Sequence, residues 1–262
     1  MDNVARADAV RFCRYSPSSR LSPFVRNFWT VRCDGEWVAP RPHRVVPDGC
    51  IDLVFARRRP TADYQAFIVG TMTRPIIEPL TSHADYIAVR FAPGGFRHFF
   101  DAPPSELTDQ ILPLDSLSVP SSLAEQVAGC DDIRVRVSIL ESQLNRRLRP
   151  EVEDSALTRI LETIAGCRGN VAMEQLGRIA SWSPRHLRRM FRDRVGVGPK
   201  TFCRIARFLS ALRVLRHSPR SNLLDVALDA GYYDQAHFIH EFCDFYGSSP
   251  SAVVREPPFY PT

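Results

Sequence analysis

Of the 34 basic side chains in this 262-residue sequence, Lys200 is the only lysine; the rest are arginines. Arginine gives bidentate recognition of phosphate and guanine, but a GC-rich coding sequence produces the same bias, so little rests on it. There is no CxxC pair among the seven cysteines, at positions 13, 33, 50, 130, 167, 203 and 243. That excludes a zinc-ribbon module, and the odd, scattered set argues for reduced, buried thiols rather than a disulfide framework. No apolar run approaches the roughly 18 residues of a membrane span. The opening MDNVARADAVRF has acidic residues and no apolar segment, so it does not read as a signal peptide. P-loop, dinucleotide-binding and nucleophile-elbow signatures are all missing. The expectation is a cytoplasmic protein with no cofactor, no metal and no membrane partner.

What is present starts with charge. The net charge is +5 with histidine neutral, and from Ser155 onward there are 15 basic against 9 acidic side chains. A basic C-terminal half suits a polyanion or is simply a solvated surface. The chain is long enough for two medium domains with their own cores.

The most informative stretch, Val171 to Pro250, is one pattern written twice. Leu176 and Ala180 recur as Val226 and Ala230, an offset of 50; Leu187, Phe191, Gly196 and Pro199 recur as Phe238, Phe242, Gly247 and Pro250, an offset of 51. Each copy reads as a short helix, a turn and a second helix with a polar face, the unit that lays its second helix in a DNA major groove. In the first copy Ser183-Pro184 supplies an N-cap and a first-turn proline. Leu187, Met190 and Phe191 then point inward and Arg185, Arg188, Arg189 and Arg192 outward. In the second copy Asn222 caps the leading helix, Gly231 permits the turn and Asp234 caps the trailing helix. Gln235, Ala236, His237 and His240 point outward, with Phe238, Phe242 and Phe245 inward. Glutamine pairs with adenine and alanine touches a thymine methyl; His237 is either such a contact or a polar group satisfied near the turn. Between the copies, Pro199 opens a long connector with Phe202, Ile205, Ala206, Leu209, Leu212 and Leu215 as its buried stripe.

The N-terminal half differs. Residues 1–20 read as polar and loosely ordered. Strand-like runs follow at Phe24–Cys33, His43–Pro47, Ile51–Ala56, Tyr64–Val69, Arg74–Leu80 and Tyr86–Ala92, a spacing that suggests an antiparallel sandwich or small barrel. Asp48-Gly49 between two of these runs signals a hairpin. His43, Asp48, Cys50 and Asp52 offer ligating atoms, although their spacing matches no metal motif. Arg90, alternating with apolar neighbours, faces either a polar cavity or, as the safer expectation, water. These five residues are the candidate ligand-binding set. After Pro93-Gly94-Gly95 the periodicity turns helical, and Ile133, Val137, Leu140, Leu144 and Leu148 form a stripe that packs on the sheet, on a second copy of the chain, or on both. Pro150–Asp154 is the expected linker, separating domains 1–150 and 151–262.

Taken together, Ser183–Phe191, Gly196–Pro199, Asp225–Ala227, Gly231-Tyr232, Asp234–Phe238, Phe242 and Gly247–Pro250 resemble the AraC/XylS family of bacterial transcription regulators over about 100 residues. The resemblance implies two helix-turn-helix units on a long helix, reading adjacent major grooves. It places Arg185, Arg188 and Arg189 at contacting positions of the first unit, and Gln235, Ala236, His237 and His240 at those of the second. Ser181 stands where that family's first turn usually has glycine, and Gly177 where its first helix usually has alanine. PHRVVPDGCIDLVF, Val69–Pro75 and Val89–Gly94 resemble an N-terminal domain of some AraC-type regulators, which implies a cupin-like β domain that senses an effector or dimerises.

The sequence therefore predicts an α+β protein of two domains: a sequence-specific DNA-binding transcription regulator, not an enzyme. Double-stranded DNA is its expected partner, with RNA polymerase, a small-molecule effector and a second copy of the chain as further ones. Two alternatives stand beside it. In one, the regulator is effector-independent and the N-terminal domain only dimerises, which a solid apolar interior would favour over an empty polar cavity. In the other, the β domain is an enzyme with Cys50 as nucleophile and His43 as base, which needs a depressed thiol pKa.

Overall fold

The computed structural model describes residues 2–7, 10–59, 63–117, 119–120, 122–149, 155–218 and 220–255. They form an antiparallel β domain followed by an all-helical domain. Strands β1 (Asp2–Ala7), β2 (Val10–Tyr15), β3 (Val25–Cys33), β5 (Ile51–Arg57), β6 (Gln65–Val69), β8 (Asp85–Phe91) and β9 (Ile111–Pro113) make a large sheet in the order β1-β2-β3-β8-β5-β6-β9. β4 (Arg41–Val45) and β7 (Ile76–Leu80) make a second, two-stranded sheet. The six expected strand runs all appear within two residues of their expected ends.

Three readings of this half need correction. Residues 10–15 are not loosely ordered: β2 pairs with β3 from Val10↔Cys33 to Tyr15↔Phe28, and buries Val10 and Phe12 with Arg11 exposed between them. A strand that short was hidden by its polar flanks. Asp48-Gly49 does turn the chain, with Gly49 at φ 76° and Asp48 Oδ1 accepting from the Cys50 amide at 2.9 Å. It does not close a hairpin, because β4 pairs with β7 and β5 with β6 and β8. Alternation marks a strand but does not choose its partner. Finally, Arg90 does not face water; it lies on the inner side of the large sheet, where it is held by carboxylates as described below.

The large sheet is covered on both faces. Along β8, Ile87, Val89 and Phe91 join Leu53, Phe55 and Phe28 in a core closed by Phe96, Phe99 and Phe100 and by α2 (Ser122–Ala128) and α3 (Ile133–Arg147) through Leu123, Val127, Leu140 and Leu144. The opposite face carries Phe12, Val31, Val54 and Tyr86, with Leu80 of the small sheet packed against them. A short helix α1 (Pro104–Leu107) precedes β9. The α3 stripe is not purely apolar: Arg136 is 0% exposed, and its Nη1 lies 2.8 Å from Asp85 Oδ2, which Tyr64 OH also reaches. A buried guanidinium is tolerable where a carboxylate and further hydrogen bonds meet it.

The helical domain comprises α4 (Ser155–Gly166), α5 (Met173–Ala180), α6 (Pro184–Val195), α7 (Pro199–His217), α8 (Leu223–Asp229) and α9 (Gln235–Tyr246), ending in a 3-10 turn at Pro250–Arg255. It holds two cores. One collects Leu157, Ile160, Leu176, Leu187 and Phe191, the other Val226, Ala227, Phe238, Phe242 and Phe245; α7 feeds Phe202 and Cys203 to the first and Ile205, Phe208, Leu212 and Leu215 to the second. Serving both cores widens its buried surface beyond the expected single stripe: Cys203, Phe208 and Ala211 are added, while Ala206 and Leu209, expected to be buried, are only half-buried. At about 1.5 Å per residue α7 is roughly 28 Å long. The expected linker at 150–154 lies outside the described residues.

The two domains are docked. Thr71 Oγ1 donates to the carbonyl of Val195 at 2.6 Å, and Thr108 Oγ1 to that of Gly196 at 2.8 Å. Arg44 Nη1 donates to the carbonyl of Tyr246 at 2.6 Å, with its guanidinium 4.6 Å from the centre of the Tyr246 ring. At Gly49 a Cβ would run into the Phe202 ring, so both the positive φ and the closeness of α7 require glycine there.

Candidate functional site

The first helix-turn-helix unit is α5 and α6. α5 ends at Ser181, in the left-handed region at φ 56°, and the Trp182 amide donates back to the Gly177 carbonyl at 2.8 Å. Ser183 Oγ accepts from the His186 amide at 3.2 Å, and Pro184 occupies the first helical position. These local devices fix the start of α6. Leu187, Phe191 and Val195 are buried, which leaves Arg185, Arg188, Arg189 and Arg192 exposed. Met190, expected inward, is half-buried. Arg188 Nε donates to the Pro184 carbonyl at 3.1 Å, and Arg189 Nη2 lies 3.1 Å from His186 Nδ1. Among the described residues no carboxylate pairs with any of the four. Four exposed guanidinium groups on one recognition helix suit phosphate and guanine contacts.

The second unit, α8 and α9, is built the same way. Asn222 Oδ1 accepts from the Leu224 amide at 2.9 Å, and Asp234 Oδ1 from the His237 amide at 2.7 Å. Gly231 turns the chain at φ 82°. α9 buries Phe238, Phe242, Phe245 and Tyr246 and exposes Gln235, Ala236, His237 and His240. His237 is 47% exposed, its ring centre lies 5.4 Å from that of Tyr232 and its Nε2 lies 3.8 Å from Glu241 Oε2.

Two residues of this unit went unseen in the sequence. Tyr233, 88% exposed at the turn before α9, adds an aromatic group to the outward surface. Glu241 is buried in α9 and accepts from Arg204 Nε at 2.7 Å, with Arg207 Nη2 3.7 Å away. It ties the second recognition helix to the connector. An acidic residue one position before Phe242, on the inner side of α9, was the available signal.

The candidate ligand set falls on a separate cavity of about 520 Å³. The inner face of the large sheet forms its floor, β4 and β7 one wall, and Leu209, Arg213 and Arg216 of α7 with Tyr246 the other. The structure brings His43, Asp48, Asp52 and Arg90 together on its lining; Cys50 is not part of it. Arg90 donates from Nε and Nη2 to the two oxygens of Asp52 at 3.0 and 2.8 Å, and its Nη1 lies 3.1 Å from Asp48 Oδ2. Trp29 Nε1 donates to the same Asp52 at 3.2 Å. Burial alone would lower the Arg90 pKa, but the carboxylates of Asp48 and Asp52 win and hold it well above its ordinary value.

Neither partner of the enzyme reading is activated. Burial pushes the Cys50 thiol up to about 12, the opposite of what a nucleophile needs. Burial, with a smaller contribution from Arg216, pushes His43 down to about 3. The cavity cations Arg14, Arg41, Arg44, Arg213 and Arg216 also escaped the sequence reading, because they are brought together from β2, β4 and the other domain.

Comparison with known proteins agrees with this layout. The family model described as "Domain of unknown function (DUF6597)" matches residues 13–113, and the one described as "Helix-turn-helix domain" matches residues 176–256. The chain is 29% identical over 118 residues to an uncharacterized HTH-type transcriptional regulator of Haemophilus influenzae, covering 45% of this chain and 39% of that protein. It is 30% identical over 90 residues to the XylDLEGF operon transcriptional activator of Pseudomonas putida, covering 33% of this chain and 28% of that one. The matches thus span well under half of these two relatives. Among solved structures, the DNA-binding domain of AdpA, determined in complex with a target DNA, is 26% identical, with 39% of this chain and 97% of that one covered and a TM-score of 0.36.

Proposed function

We propose, for a chain that joins a DUF6597 domain to an AraC-type helix-turn-helix domain, that it regulates transcription by reading two successive major-groove segments with α6 and α9. The carrying observation is the paired construction. Two capped recognition helices, one presenting Arg185, Arg188, Arg189 and Arg192 and the other Gln235, Ala236, His237 and His240, are fixed to one connector, α7. Phosphate contacts would set position, and base edges would set sequence. The protein works in the cytoplasm on double-stranded DNA, with RNA polymerase as the machinery it addresses.

The β domain modulates this activity through an effector. An N-terminal domain that only dimerises called for a solid apolar interior, whereas a cavity with polar side chains on its floor favours the effector reading. A homodimer through the helical flank of the β domain, where Val135 of α3 is exposed, is compatible with it. Footprinting of the full chain on a bound fragment tests the DNA reading. It should protect two patches roughly 10 base pairs apart on one face of the duplex; a single patch, or none, contradicts it.

A further inference from the structure

We infer that the cavity between the two domains binds an amphipathic organic anion, with one carboxylate- or phosphate-type head and an apolar body of ring size. This rests on the effector reading above and names the effector's chemistry.

Charge gives the head group. Eight arginines line the cavity against three carboxylates. Those three carboxylates are already engaged, Asp48 and Asp52 with Arg90, and Glu78 with Arg58. Arg14 shows the resulting field: burial and then the nearby Arg90 and Arg26 guanidinium groups lower its pKa, and Asp48 offsets them only in part. An anion entering here meets guanidinium donors and relieves their mutual repulsion. A polyol would need acceptors as well as donors, and the three carboxylates on this lining already accept from guanidinium groups.

The rest of the lining gives the body. Phe12, Trp29, Val54, Phe67 and Val69 supply apolar surface from the large sheet, with the Phe12 and Trp29 ring centres 6.5 Å apart and their planes inclined at 28°. Ile77 and Ile111 stand half exposed on the lining. A volume of about 520 Å³ falls within the range of small-molecule sites.

Position gives the consequence. Leu209, Arg213 and Arg216 come from the connector that carries both recognition helices, while Arg14 comes from β2. A ligand held by both domains favours the docked arrangement, and so couples to DNA affinity in whichever direction docking does.

Calorimetry on the full chain with three isosteric probes tests the inference: biphenyl-4-carboxylate, biphenyl-4-yl phosphate and the neutral biphenyl-4-methanol. At least one anion should bind tenfold or more tighter than the alcohol, and the better of the two identifies the head group. Arg14→Gln and Arg213→Gln should each weaken the anion fivefold or more and leave the alcohol unchanged. Arg213 is exposed on its helix, so its variant keeps the test valid should Arg14→Gln fold poorly. The inference is overturned if the alcohol binds as well as the anions, if none of the three binds, or if Arg213→Gln binds the anions like the parent. Sequence-specific DNA binding measured on the same samples separates the two readings: if it persists when the anions fail, only the ligand assignment falls; if it is absent while they bind, the regulator reading falls.

Discussion

Thr71 of the β domain donates a 2.6 Å hydrogen bond to the main-chain carbonyl of Val195, the last residue of α6. The last carbonyls of a helix have no partner within it, and here the other domain supplies one. Helix α6 is thus held at its far end while its N-terminal arginines stay exposed.

Removing that hydroxyl should loosen the docking. Thr71→Val keeps the shape and leaves a buried acceptor short of its donor, at a cost of about 1–3 kcal/mol. The expected outcome is a lower Tm with unchanged secondary structure by circular dichroism. An unchanged Tm would mean that the contact contributes nothing in solution.

Ser181 adopts a left-handed conformation at φ 56°, which costs a residue with a Cβ about 1–2 kcal/mol. Ser181→Gly should therefore stabilise the protein by about 1 kcal/mol in denaturant unfolding, glycine being at home in this helix-ending position. Gly177→Ala should not give the gain that helix propensity alone suggests, because its Cβ would meet the Trp182 carbonyl at 2.9 Å. The two departures from the family pattern belong to one turn.

His43 gives a pH dependence whose sign is fixed. Its folded pKa is pushed down to about 3 by burial and by Arg216, whereas the unfolded chain takes up a proton near pH 6.5. Below that value the unfolded state binds more protons, so stability is complete above about pH 6.5 and is lost as pH falls toward 3, at up to about 1.4 kcal/mol per unit. Tm followed from pH 7.5 to 5 should fall in the parent and fall less in His43→Gln. Parallel profiles would remove His43 as the origin.

Arg188→Ala and Arg189→Ala should each weaken DNA binding without lowering Tm, since both side chains are exposed. For a lost phosphate contact the loss is even across sequences and the salt slope falls by about one; for a lost guanine contact it is concentrated at one base pair, about 1–3 kcal/mol. Variants that bind like the parent would overturn the assignment of α6 as a reading helix.

What could be read from the sequence follows the range of the interaction behind it. Ser183, Asn222 and Asp234 cap helices that begin within three residues of them, so the helix starts were legible. The burial of Phe238 and Phe242 follows from spacing. Glu241 with Arg204, and Arg136 with Asp85, are pairs 37 and 51 residues apart; nothing local marks an Arg or Glu as buried until its partner is known. The same limit made a hairpin of β4 and β5. The cavity was half legible: His43, Asp48, Asp52 and Arg90 were grouped by their dense polar run and by alternation. Arg14 lay in a segment read as loose, and Arg213 in a helix assigned to the other domain.

The central claim is that α6 and α9 read DNA as a pair. Selection of genomic fragments bound by the purified full chain, repeated across salt concentrations and with and without the anionic probes, tests it most directly. The account predicts a motif of two blocks about one helical turn apart, roughly 10 base pairs, retained as salt rises. Fragments without a shared motif under every condition, released uniformly by salt, would contradict it and reduce the helical domain to a non-specific tether.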